Sequence, residues 1–303
     1  MTLLQNINDL NSILIMIYCF VDDFLKGVVS NIRYALDRPG KNRPPTKKHN
    51  LSLAELASLA IFRFFTGHKN WKDFYYHIKT YHKQDFCNLP NYQNFLKAAN
   101  DLSGLAAIML QGFMNVFNRI TGKNGLKFTD STKLEVCRIK REFSHKVALG
   151  IASKSKSTMG WFYGFRLHII CNELMQILKL KFTTATGDER KTLEMMWNDI
   201  FGIIIADAGY VSKKLERKAF DLGKFLLTGV RANMKKIMTE IEHQLLKLRQ
   251  LVEIVFSVLK LRMGLENTLP RSPLGYFAHY IWCITAYQLK KFFELLFVKP
   301  KLT

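Results

Sequence analysis

Phe201-Gly-Ile-Ile-Ile-Ala-Asp-Ala-Gly-Tyr210 is the stretch around which this 303-residue chain is best read. Three consecutive β-branched residues, Ile203–Ile205, crowd a helical turn and favour an extended backbone. So short an apolar run, with no polar alternation, fits a strand covered on both faces in the middle of an α/β sheet. Asp207 follows, and Gly209 lets the chain turn. A carboxylate at the end of a buried strand stands where open α/β sheets place their ligands. The plainer alternative is that Asp207 caps a helix starting near Ser212. Which holds depends on whether other acidic residues meet it.

Composition narrows the partners. Forty-five Lys and Arg against 24 Asp and Glu give a net charge of +21, and the pI near 9.8 points to a polyanion. Nucleic acid fits better than an anionic membrane, because the basic residues are dispersed through aromatic-rich segments and form no amphipathic tail. Cys19, Cys87, Cys137, Cys171 and Cys283 never form C-x-x-C and are odd in number, which argues against a disulfide framework and for a reduced, cytoplasmic protein. The apolar run Ile13–Val21 is broken by Asp22 and Asp23 and falls far short of the ~20 residues that span a bilayer.

Residues 1–121 read as helical, with Leu10, Ile13, Leu14 and Ile17 at helical spacing and a capping box of Ser52 and Glu55. Between them, Pro39, Gly40, Pro44 and Pro45 among five basic residues mark either a solvated linker or a basic loop lying on phosphates. Asn70–His82 interleaves aromatics with Lys and His; such aromatics are most often core, but the mixture also suits DNA. From Gly122 the character changes. Lys127–Thr132 (KFTDST) reads as a strand ending in Asp130. Trp161–Ile170 alternates as a half-buried strand, with Gln176–Thr186 its antiparallel partner. Asp188 caps a helix running to Asp199. The Ile203–Asp207 strand, a helix near Ser212–Leu222, a strand at Lys224–Thr228 and a long helix over Met238–Arg262 complete the order. This is the order of a ribonuclease H-like mixed sheet flanked by helices, which makes the chain α/β over 122–303, after an all-helical region over 1–121.

The long helix supplies a third acid. Gln250–Leu261 is apolar almost all round and predicts burial, yet Glu253 sits in its middle. A lone buried carboxylate is costly and needs a cation nearby. Arg249, one turn earlier, and Lys260, two turns later, share its side of the helical wheel. A salt-bridged stripe would explain this locally, at ~0.2–0.5 kcal/mol per pair. The alternative is that Asp130, Asp207 and Glu253 converge on divalent metal, since Mg²⁺ takes hard carboxylate, water and phosphate oxygens. Two such ions ~3.5–4 Å apart serve phosphodiester chemistry without a side-chain nucleophile. Between the first two strands, Lys133–Lys156 carries Lys133, Arg138, Lys140, Arg141, Lys146, Lys154 and Lys156 against two acids, which reads as a phosphate-binding loop.

Residues 127–290 resemble the catalytic domain of bacterial insertion-sequence DDE transposases. FTDST carries the first Asp (Asp130) and ADAGY the second (Asp207); Arg249, Glu253 and Lys260 match an Arg-x₃-Glu-x₆-Lys helix pattern. GWFYGFRLH, the basic stretch Cys137–Gly150 and VDDF at Val21–Phe24 are also similar. Leu246 stands where a broader form of the signature has Tyr, and Ala208 where the second motif often has Lys. The resemblance implies metal-dependent cleavage at element ends and strand transfer into target DNA. It implies two Mg²⁺ or Mn²⁺ ions on Asp130, Asp207 and Glu253, DNA contacts from the basic loop with Arg249 and Lys260, and a homodimer during synapsis. A decayed or domesticated DNA-binding protein without catalysis is the alternative.

Overall fold

The computed structural model describes residues 9–36, 51–157, 160–230, 237–267 and 269–297, with only the backbone course given over 28–36. The expected proline-rich basic segment, over 37–50, lies outside the described residues. Among the described residues no helix is long and apolar enough to cross a membrane. Among the described residues no disulfide is formed.

The chain divides into two compact units: Met1–Gln111 with Arg262–Leu265 and Leu274–Thr303, and Gly112–Leu261 with Glu266–Pro273. The C-terminal helix falls in the first of these units. The reason is its composition. Helix α10 (Pro273–Phe297) is buried from Tyr276 through Leu289 apart from Phe277 and Ile281, so it needs apolar partners on nearly every side.

The helical unit also contains α1 (Leu10–Leu36), α2 (Leu53–Phe62), α3 (Trp71–Tyr81) and α4 (Tyr92–Asp101); α5 (Ser103–Thr121) crosses the division. The Ser52/Glu55 capping box forms as expected, with Glu55 N–H donating to Ser52 Oγ at 3.1 Å and Ser52 N–H to Glu55 Oε2 at 2.6 Å. It frees α2 to bury every residue from Leu56 to Phe62. Trp282 on α10 donates to the Ala99 carbonyl at 2.9 Å and Thr285 to that of Ala106 at 3.1 Å. In α3, Trp71, Phe74, Tyr75 and Ile78 belong to this core, while Tyr76 and Tyr81 are exposed.

The second unit is built on one six-stranded sheet: β1 (Leu126–Cys137), β2 (Ser153–Ser157), β3 (Gly160–Asn172), β4 (Ile177–Thr184), β5 (Gly202–Ala206) and β6 (Lys224–Thr228). The order is β2-β3-β1-β5-β6, with β4 beside β3 along the same edge as β2. β1 runs antiparallel to β3 and parallel to β5, and β5 parallel to β6. This is the expected mixed sheet. β5 lies inside it, and Ile204–Ala206 are buried. The β3–β4 hairpin turns through Met175 at φ 60°, held by the Asn172 side chain accepting from the N–H groups of Leu174 and Gln176.

Three expectations change. β1 does not end at Asp130 but runs on to Cys137, because the 13-residue β3 offers it a partner along its whole length. Lys133 is thus a strand residue and not part of a loop. Close approach of the two strands needs Gly164, where a Cβ would stand 2.0 Å from the Leu134 carbonyl oxygen. β3 is not half-buried: Phe162–Asn172 are buried except Arg166, since α6 (Glu189–Met196) covers the face that carries Arg166 and His168. Finally, the long helix is two. α8 (Glu240–Lys247) and α9 (Gln250–Ser257) meet at a tightened i→i+3 turn over Leu248–Val252, and α9 runs into a π-helical turn at Val258–Arg262.

Candidate active site

The sheet brings two acids level. On the parallel strands the last register pair is Phe128 with Ile205. Two residues further, Asp130 and Asp207 follow on neighbouring strands, where β5 ends and β1 continues. Asp207 opens a single 3₁₀ turn, Ala208–Tyr210, and its Oδ1 accepts from Gly209 N–H at 2.8 Å. Its capping therefore serves this turn. The helix α7 (Lys213–Asp221) has its own cap in Ser212, which accepts from Leu215 N–H at 3.3 Å.

Glu253 reaches the pair through a cation. One Arg249 guanidinium donates to Asp130 Oδ2 at 3.3 Å from Nη1 and to Glu253 Oε1 at 2.8 Å from Nη2. Arg249 is thus the cation that Glu253 required. The helix is less buried than its composition predicts, however: the Glu253 side chain is 54% exposed and Ile254 is exposed beside it. α9 packs one side on β1 through Val252, Val255 and Phe256 and leaves the other side open. Lys260 is not beside Glu253. The π turn sends its ammonium to the Lys133 carbonyl at 2.5 Å and to Glu266 at 3.7 Å, and burial lowers its pKa. It ties the helix end to β1.

Electrostatics make Asp130 unusual. Burial pushes its carboxyl up to about 6, and the Asp207 and Glu189 carboxylates push the same way, against the Ser131 N–H and Arg249. Glu189 is a site-lining acid that the sequence reading passed over. It opens α6, next to Asp188, whose side chain caps that helix from Arg190 and Lys191 N–H as expected. The signal available was only the acidic pair itself, and the cap absorbed it. Its Oε1 accepts from Ser131 Oγ at 2.6 Å and Arg166 Nη1 at 2.5 Å. Tyr210 is buried, and its hydroxyl is raised by burial and then by Glu189, Asp130 and Asp207. Among the described residues, no three His, Cys, Asp and Glu side chains enclose a space for a metal ion as they stand.

Arg138, Lys140, Arg141 and Lys146 are all exposed, around a 3₁₀ turn at Ile139–Ser144 that also presents Phe143, 96% exposed. Lys156 is exposed on β2. Lys154 pairs with Glu142 at 2.7 Å and lies 5.4 Å from the ring centre of Trp161, which is 56% exposed. Trp161 is thus on the surface and not in the core, unlike Trp71, Trp197 and Trp282. His168 is a buried core residue: its Nε2 lies 3.0 Å from Thr183 Oγ1, and burial lowers its pKa to about 4.

A mixed sheet in this order, with two aspartates leaving adjacent parallel strands and a glutamate on a following helix, defines a ribonuclease H-like α/β unit of the transposase class. The family model described as "Transposase DDE domain" matches residues 120–273, half of the chain, and the protein belongs to that family. A comparison with curated proteins returned no match.

Proposed function

We propose that this transposase cleaves DNA at the ends of an insertion sequence and joins the freed 3′-hydroxyls to target DNA, with Asp130, Asp207 and Glu253 holding divalent cations. The observation that carries this reading is the emergence of Asp130 and Asp207 side by side, with Glu253 linked to Asp130 by Arg249. Their chemistry fits Mg²⁺ or Mn²⁺. The donors are hard oxygens, and Asp130, raised first by burial and then by the Asp207 and Glu189 carboxylates, is a group whose ionised form a divalent cation would favour. Held by these residues, such ions, two in the usual arrangement, would supply activation of the attacking oxygen and stabilisation of the leaving one.

The chain's own groups do the rest. Arg249 holds Glu253 and Asp130 in relation, and a cation bound by either carboxylate would compete with its guanidinium. Arg138, Lys140, Arg141, Lys146 and Lys156, in no ion pair among the described residues, offer charge to backbone phosphates; Lys154 contributes once Glu142 releases it. The intraprotein ties of Arg249 and Lys260 make them orienting groups first and DNA contacts second. The helical unit positions terminal DNA, and two copies synapse two ends.

The test is Asp130→Asn. Mg²⁺-dependent nicking and strand joining on DNA carrying the element ends should fall at least ~10³-fold, the scale of losing one transition-state contact worth ~4 kcal/mol. DNA affinity should stay within about threefold. An active Asp130→Asn protein refutes the assignment.

A further inference from the structure

Phe143 and Trp161 are exposed aromatic rings on the basic surface of the sheet unit. A single exposed apolar residue is ordinary and needs no explanation. These two share one surface, and the chain is shaped to put them there. Opposite residues of an antiparallel pair lie on the same face, so the pairs Lys156–Trp161 and Lys154–Tyr163 set four side chains on one face of the β2–β3 hairpin. The segment from the 3₁₀ turn at Ile139–Ser144 to Ala148 packs on that face. Glu142 pairs with Lys154, the His145 ring meets the Tyr163 ring edge-on at 6.4 Å, and the Tyr163 hydroxyl donates to the Ala148 carbonyl at 3.3 Å. Glu142 turns inward, its side chain 8% exposed, and Phe143 beside it turns out.

Charge selects the partner. Arg138, Lys140, Arg141, Lys146 and Lys156 are exposed on the same segment and hairpin, and Lys154 Nζ lies 5.4 Å from the centre of the Trp161 ring. An apolar protein surface laid on the rings would strip these charges of water without pairing them. A duplex offers phosphates but keeps the faces of its bases stacked on one another. An unpaired strand offers phosphates and free π-faces together. The place is also informative. Trp161 lies eight positions before Ile169, the sheet partner of Asp130, so at ~3.3 Å per residue it stands up to ~26 Å from that aspartate along the strand. That is about eight base steps of ~3.4 Å, so the bases met here are not those at the scissile bond.

We propose that Phe143 and Trp161 form a stacking site for unpaired nucleobases of a DNA strand, remote from the reacting phosphate, with the surrounding Lys and Arg holding that strand's backbone. This rests on the reading of the basic segment as a phosphate contact, and adds that the same face distinguishes unpaired DNA from duplex.

Fluorescence anisotropy of the full chain on a labelled oligothymidine strand and on an intact duplex of equal length, over a range of salt, tests this without turnover. F143A and W161A should each weaken strand binding ~5–150-fold, the equivalent of ~1–3 kcal/mol per stacked base, with the salt slope unchanged and duplex affinity within about twofold. F143W should restore what F143A loses. K140A and R141A should instead weaken both ligands and each lower the salt slope by about one. Strand affinity unchanged in F143A and W161A, while K140A and R141A weaken both ligands, overturns stacking and leaves the phosphate reading standing. Both ligands unaffected by K140A and R141A overturns that reading and the proposal with it. Equal losses on strand and duplex in F143A and W161A also overturn it, because a role in packing the segment explains them. Should W161A fail to fold, F143A, at an exposed position on a turn, decides alone: unchanged strand binding overturns the proposal.

Discussion

Each unit holds a centre of ionisable residues, and the two are built oppositely: the first is buried, the second half-buried. In the helical unit Arg63 is buried and pairs with no carboxylate among the described residues. Its guanidinium donates to the Lys69 carbonyl at 2.9 Å, meets His279 Nδ1 at 3.1 Å, and lies 4.7 Å from the ring centres of both Phe64 and Trp71, with only Nε unpartnered. Burial lowers Arg63 to about 10 and His279 to about 3, so one charge is spread over dipoles and ring faces while the imidazole stays neutral. In the sheet unit, Asp130, Asp207 and Glu189 share a neighbourhood with Arg249 and Arg166 as counter-charges, and Asp130 is pushed up to about 6. The first centre is finished by the protein itself. The second keeps a carboxyl whose ionisation is opposed first by burial and then by neighbouring acids, and such a cost is what candidate functional sites carry.

The comparison predicts opposite responses to mutation. Arg63→Ala should cost ~3–5 kcal/mol in denaturant unfolding, as loss of a large buried side chain with its contacts does. A loss below 1 kcal/mol would show that the helical centre is not structural. The pH responses should also oppose each other. Asp130 is raised from 3.8 to about 6 in the folded state, so its ionisation removes on the order of 2–3 kcal/mol as pH climbs from below 4 through 6. His279 is lowered from 6.5 to about 3, so the stability that depends on its neutral form is full above 6.5 and is lost as pH falls toward 3. Hydrogen exchange, corrected for intrinsic rates, should show amides of β1 gaining protection and those of α10 losing it as metal-free protein is taken from pH 6.5 to 4.5. Parallel changes would remove the contrast.

Smaller effects sharpen it. Asp130→Asn should raise the melting temperature of metal-free protein, by the equivalent of ~1 kcal/mol, since functional acids trade stability for chemistry. A fall of that size would make Asp130 a structural residue like Arg63. Lys218→Ala removes a surface pair with Glu194 and should change stability by less than ~0.5 kcal/mol.

Local chemistry made much of this legible from residues alone. β-branched Ile203–Ile205 announce β5, the Ser52 and Asp188 caps form where their side chains predict, and a helix starts at Ser212 as expected, though capped by Ser212 and not by Asp207. Asp130, Asp207 and Glu253 stand out because acids at strand ends and in apolar helices are costly without purpose. What composition does not encode is who covers whom. Alternation in Trp161–Ile170 looks half-buried, but α6 closes over the polar face, where Arg166 meets Glu189. Gln250–Leu261 looks buried all round, yet only one side of α9 packs on β1. Lys260 looks like Glu253's neighbour on an ideal helix, and a π turn sends it to a β1 carbonyl. Glu189 is hidden because its partners, Ser131 and Arg166, lie 58 and 23 residues away.

The most direct test is a crystal grown with saturating Mn²⁺ and measured for anomalous scattering. The account predicts a peak with carboxylate oxygens of both Asp130 and Asp207 at about 2.0–2.3 Å, and the Arg249 bridge between Asp130 and Glu253 broken. A site without a peak, with that guanidinium still spanning the two acids, would contradict it.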